Sequence, residues 1–145
     1  MLSKLTPEQK NEFGKVISCL GQSLDISETQ YNALVQSYEA VGEFLQNDEE
    51  LSKYGPLVTP QGSLRLGTII QPVNPDDDMD VDLVFRLSEK SPEWTQKTIK
   101  DMVGARLFSS ERYKPMMDKE EGRRCWTLLY RQDSANLKER YHMDI

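Results

Sequence analysis

The stretch Met79-Asp80-Val81-Asp82-Leu83-Val84-Phe85 constrains this chain more than any other. Apolar and acidic residues alternate along it until Leu83-Val84, and period two is the signature of a strand, whose successive side chains point to opposite faces. A strand here turns Met79, Val81, Leu83 and Phe85 to a core and sends Asp80 and Asp82 to the other face. Two residues of strand put those Cα atoms about 6.5–7 Å apart, close enough for both carboxylates to converge on one divalent ion. Like charges side by side on a half-buried strand are unfavourable. A hard cation such as Mg²⁺, which takes carboxylate oxygens, is the simplest compensation. A plainer reading makes 76–82 a solvated acidic turn running into an edge strand. It suits Asp76, Asp77 and Asp78, which follow the turn-forming Asn74-Pro75. It suits Asp80 and Asp82 less well, because apolar residues interleave them.

Upstream, Gly62-Ser63 reads as a tight turn offering a hydroxyl and exposed backbone N–H groups. A short strand over Leu57 to Thr59 leads into it, and Leu64 to Gly67 is expected to begin a short helix. The N–H groups of that helix start point to where Ser63 sits, a ready phosphate site. Arg65 and Thr68 lie close by in sequence; Arg65 reads equally as a phosphate contact or as an ordinary exposed charge. A lone Gly-Ser says little, whereas a Gly-Ser followed by an Asp-x-Asp strand is much more specific.

The order Gly62-Ser63, Gly67-Thr68, Asp80-Val81-Asp82 resembles the DNA polymerase β-like nucleotidyltransferase superfamily. With PQGSLRLGT, DMDVDLV and the late YHMDI, the chain looks like one branch of it, the cGAS/DncV-like nucleotidyltransferases (CD-NTases) of bacterial anti-phage (CBASS) signalling. The resemblance runs from about Tyr31 to Ile145. It implies an α/β (α+β) fold, a small mixed sheet with helices packed on it. It also implies a third carboxylate on a strand beside the Asp-x-Asp strand, and Asp144 matches that position. Without the resemblance Asp144 is only a polar residue far along the chain from Asp82. Carried over residue by residue, Asp80 and Asp82 hold the triphosphate-associated Mg²⁺, and together with Asp144 they hold a second Mg²⁺; Mn²⁺ is an alternative metal. Gly62 and Ser63 take the β/γ-phosphates, with Arg65 and Thr68 as further nucleotide contacts. The implied reaction is nucleotidyl transfer from an NTP, ATP or GTP among them, to the hydroxyl of another nucleotide, giving a cyclic oligonucleotide signal. Regulatory protein partners fit such a role.

Family members continue beyond the third carboxylate into a helical region that completes the nucleotide cleft, whereas this chain stops one residue after Asp144. The expected organisation is a helical segment over 1–56 packing on a catalytic core over 57–145 that is cut short after the third carboxylate strand. Two rival readings stand beside the synthase: a minimal nucleotidyltransferase that modifies a protein partner, as some antitoxins do, and a non-catalytic remnant serving as an interaction module.

The rest of the chain supplies a frame. With 145 residues there is room for one domain with a real core. A net charge of −6 argues against a stable grip on nucleic acid, which needs many cations against phosphates. Two cysteines, Cys19 and Cys125, lie too far apart and out of any Cys-x-x-Cys pattern for a disulfide framework or a structural zinc, and a reducing, cytoplasmic compartment is the natural assignment. No run of 18 apolar residues exists, so no membrane span is expected.

Thr6-Pro7-Glu8 reads as a helix start, with Phe13, Val16, Ile17, Leu20 and Leu24 at helical spacing. Ser27-x-x-Gln30 is a capping box for a second helix, with a stripe of Tyr31, Leu34, Val35, Tyr38, Val41, Phe44 and Leu45 read as core rather than as a base-stacking surface. That helix is expected to fray near Leu51. Ser91-Pro92-Glu93 reads as another helix start, carrying Trp94, Ile99, Met102 and Val103 onto the sheet. Glu111 to Asp118 reads as weakly helical and 119–122 as a turn. Cys125 to Tyr130 reads as a strand, Gln132 to Glu139 as a polar turn, and Arg140 to Ile145 as a returning strand with Tyr141, Met143 and Ile145 on one face and His142 and Asp144 on the other. His142, the single histidine, carries no assigned role.

Overall fold

The computed structural model describes residues 5–74, 77–120 and 122–145. Asp76, read above as loop, and position 121 of the expected turn lie outside the described residues. Two helices open the chain: α1, Pro7–Leu24, and α2, Glu28–Gln46. Both begin as their sequences predict. Thr6 accepts from Gln9 N–H while the Gln9 side chain reaches back, and Ser27 does the same with Gln30, so each box satisfies two otherwise orphaned N–H groups.

A 3₁₀ turn at Leu51–Tyr54 leads into β1, Pro56–Pro60, then α3, Gly62–Leu66, then β2, Met79–Leu87. After α4, Gln96–Phe108, come β3, Thr127–Tyr130, and β4, Tyr141–Asp144. The sheet order is β1-β2-β4-β3, with β1 antiparallel to β2, β2 parallel to β4, and β4 antiparallel to β3. This is the small mixed sheet with packed helices that the sequence implies.

Alternation fixes which face of the sheet is buried. Met79, Val81 and Leu83 of β2, Leu128 and Tyr130 of β3, and Tyr141 and Met143 of β4 are all buried, and Val58 joins them from β1. α2 covers this face through Leu34, Val41 and Leu45. The Ser37 and Tyr141 hydroxyls, 2.7 Å apart, tie α2 to β4, and the Tyr130 and Tyr141 rings stack at 4.6 Å. The α2 aromatics Tyr38 and Phe44 pack against the core, whereas Tyr31 is exposed. α4 contributes Val103 and Leu107 to the core, and the indole of Trp126 donates to the Lys100 carbonyl at 2.8 Å.

Three expectations differ from the structure. Of the segment 1–56, α2 packs on the core, but α1 contains no buried residue, and Phe13, Val16, Ile17 and Leu20 are each more than half exposed. The helix expected from Ser91-Pro92-Glu93 begins later. Ser91 to Trp94 forms a turn, closed by Trp94 N–H on the Ser91 carbonyl, and Thr95 caps α4 through Thr98. The Trp94 ring rests on Tyr54, with centroids 4.5 Å apart, which holds the turn in place. In the segment read as weakly helical, only Lys114–Met116 forms a helix, a single 3₁₀ turn.

Candidate active site

The open face of the sheet carries the acidic residues in rows. In the parallel pair β2–β4, Asp80 stands opposite His142 and Asp82 opposite Asp144. In the antiparallel pair β4–β3, Asp144 stands opposite Thr127. Paired residues share a face, so Asp82, Asp144 and Thr127 form one row across three strands, and Asp80, His142 and Leu129 form the next. The strand bearing Asp144 is therefore the immediate neighbour of the strand bearing Asp80 and Asp82.

The Gly-Ser turn abuts the end of the first row. Gln61 N–H donates to the Asp82 carbonyl at 2.8 Å, which pins the turn to β2. Gly62 opens α3 with φ +58, in the left-handed region. A Cβ on Gly62 would fall on the Asp82 carboxylate. Glycine is needed here twice over, for its backbone and for the space. Ser63 sits inside the first turn of α3, which begins at Gly62, two residues before the expected Leu64, and its carbonyl accepts from Thr68 N–H at 2.9 Å. Arg65 and Thr68 are both exposed beside this turn.

Asp80 and Asp144 are each drawn to a partner of their own. Asp80 Oδ1 lies 3.2 Å from His142 Nε2. Asp144 Oδ1 accepts the Thr127 hydroxyl at 2.6 Å, and its Oδ2 accepts the Cys125 thiol at 3.5 Å. Partial desolvation pushes Asp80, whose side chain is still 59% exposed, above the usual carboxylate range; the neighbouring Asp82 charge adds to this, His142 opposes it, and Asp144 adds a smaller push. The Cys125 thiol is also pushed up, first by burial and then by Asp144. Among the described residues no three His, Cys, Asp or Glu side chains are gathered into a metal cluster. The neighbouring rows set carboxylates side by side, but the side chains do not converge as three expected ligands would.

The donor set nonetheless suits a divalent cation. It consists of hard carboxylate oxygens, and Asp80 is made harder to ionise first by desolvation and then by the Asp82 charge, a condition a cation relieves. Three contacts here were not read from the sequence: His142 on Asp80, the Thr127–Cys125 pair on Asp144, and Gln132 Nε2 donating to Asp78 Oδ2 at 2.9 Å. Each joins residues distant in sequence, and only the shared face of His142 and Asp144 in the alternation hinted at any of them. Asp77 behaves as loop, accepting from the Asn74 amide.

The mixed sheet, with its acidic rows and glycine turn, has the fold of polymerase β-like nucleotidyltransferases. Residues 56–145 match the family described as "Cyclic GMP-AMP synthase DncV-like, nucleotidyltransferase domain", and the chain belongs to that family. It is 26% identical over 144 residues to a c-di-GMP synthase of Roseivirga ehrenbergii, covering 97% of this chain and 35% of that protein. The CD-NTase CdnG of Bradyrhizobium diazoefficiens, solved in complex with GTP, shares the fold at a TM-score of 0.65 and 24% identity, over 87% of this chain and 34% of that one. DncV of Escherichia coli, bound to 3'-deoxy GTP, shares it at 0.59 and 16% identity, over 84% and 47%. The Cid1 poly(U) polymerase bound to MgATP shares it at 0.57 and 17% identity, over 92% and 37%. The chain thus spans between a third and a half of the length of these relatives. Among its described residues no helix is long and apolar enough to cross a membrane.

Proposed function

We propose that this chain is the catalytic core of a cyclic oligonucleotide synthase, which transfers a nucleotidyl group from an NTP to the hydroxyl of a second nucleotide in anti-phage signalling. The observation that carries the reading is the parallel register that sets Asp144 beside Asp82, with the Gly62-Ser63 turn packed against the same aspartate. Asp80, Asp82 and Asp144 are the residues that would hold Mg²⁺. When bound, the metal stabilises the attacking and leaving oxygens of an in-line displacement. The Ser63 hydroxyl and the N–H groups of its turn take the terminal phosphates, and the pinned turn fixes where the triphosphate lies relative to Asp82. Arg65 and Thr68 extend that contact along the nucleotide. GTP and a cyclic dinucleotide product are the first candidates, because one relative is named a c-di-GMP synthase and another was solved with GTP.

The test is calorimetric binding of GTP and ATP with Mg²⁺ or with chelator, followed by incubation with labelled NTP. Mg²⁺-dependent binding that is lost in the Asp80→Asn, Asp82→Asn double variant, with the fold intact, is the expected result. Equal binding in chelator, or in the double variant, contradicts it. Label in a small cyclic product supports the synthase, whereas label retained on protein would point to protein modification instead.

A further inference from the structure

We propose that Thr127 is a positioning residue for Asp144, fixing one carboxylate oxygen so that the other is presented to a divalent cation. The inference rests on the reading of Asp144 as a metal ligand and assigns the residue that orients it.

Backbone register puts Thr127 there. Trp126 and Ile145 exchange both N–H···O=C bonds, each at 3.0 Å, and so form a hydrogen-bonded antiparallel pair. The next pair, Thr127 and Asp144, is therefore of the non-hydrogen-bonded kind, in which facing side chains approach most closely. The hydroxyl donates to Asp144 Oδ1 at 2.6 Å, in the short range of charge-assisted O–H···O⁻ bonds. Threonine is stiff about χ1, so the donor is held in place rather than searching for it.

The second oxygen is held differently. Oδ2 receives the Cys125 thiol at 3.5 Å, and a thiol is a weak donor. A cation arriving at Asp144 thus displaces the weak bond and leaves the strong one. On the other side of β4, Asp82 stands level with Asp144. Thr127 therefore sets how Asp144 is turned relative to its carboxylate neighbour, and it does so without touching nucleotide or metal. Loss of such an orienting hydrogen bond typically weakens metal affinity about 10–100-fold.

The experiment counts free Mn²⁺ by electron paramagnetic resonance in the presence of a non-hydrolysable GTP analogue. Thr127→Val and Thr127→Ala are compared with Thr127→Ser, Cys125→Ala, Asp144→Asn and the parent, with thermal unfolding in chelator as the check on folding. The proposal expects Mn²⁺ affinity about tenfold weaker in Thr127→Val and Thr127→Ala, restoration by Thr127→Ser, and no weakening in Cys125→Ala. Parent-like affinity in a folded Thr127→Val or Thr127→Ala, or failure of Thr127→Ser to restore it, overturns the role of Thr127 while leaving Asp144 a ligand. Parent-like affinity in Asp144→Asn overturns the metal reading of Asp144 itself, and the proposal with it.

Discussion

Gly62 shows at the residue scale how the site depends on single atoms. Gly62 and Gly67 both take positive φ, +58 and +67, but only Gly62 faces the Asp82 carboxylate; nothing lies near the Cβ direction of Gly67. An alanine at either position pays about 1–2 kcal/mol for the left-handed backbone. Gly62→Ala must in addition push Asp82 aside. We expect Gly62→Ala to lower the unfolding free energy by more than Gly67→Ala does, and to weaken Mg²⁺-dependent nucleotide binding, which Gly67→Ala leaves nearer the parent; denaturant titration and calorimetry measure the two effects. Asp80 gives a pH prediction. Its folded pKa is raised, mainly by burial and then by Asp82, so the folded chain holds more protons than the unfolded one between the ordinary carboxylate pKa and the raised value. Stability without metal is fullest below that window and falls as pH rises through it. Asp80→Asn removes this loss. The metal-free variant should therefore melt higher than the parent at neutral pH and show a flatter profile across the window; a variant that melts lower at neutral pH would argue that the His142 contact outweighs the repulsion.

Elements differ in how much of their role could be read from sequence. The alternation in β2 and β4 specified both the strand type and the buried face, because a single face of the sheet is covered and a one-residue slip would bury the aspartates. The α1 and α2 stripes look alike as patterns, yet α2 buries Leu34, Val41 and Leu45 while α1 buries nothing. Helical period reports that a face is apolar and cannot report whether anything covers it. α4 begins at a cap formed by Thr95 with Thr98, four residues after the expected start at Ser91-Pro92-Glu93. The contact of Trp94 with Tyr54, invisible in the local pattern, selects the later start. The contrast between the helices is measurable. Leu45→Ala, at a fully buried position, should cost about 2–5 kcal/mol. Val16→Ala, on exposed α1, should stay within about 0.5 kcal/mol. Similar losses for the two in denaturant titration would contradict the packing described for α1.

The whole molecule brings together what the sequence keeps apart. Asp82 closes its row only because β4 returns parallel to β2 after α4 and β3 have intervened, and no local pattern announces which strand β4 pairs with. From the residues alone the Asp80–Asp82 pair and the Gly-Ser turn were legible; the place of Asp144 came through family resemblance, and its bonds to Thr127 and Cys125 came only from the fold. Three distant segments are proposed to build one cation site. That proposal is tested most directly by titrating the ¹⁵N-labelled chain with Mn²⁺ in the presence of a non-hydrolysable GTP analogue and recording which amide signals broaden first. The amides of Gly62, Ser63, Asp80, Asp82 and Asp144 should broaden together at the lowest metal concentration. Broadening that spares Asp144, or that begins at the acidic run Asp48-Glu49-Glu50, would contradict it.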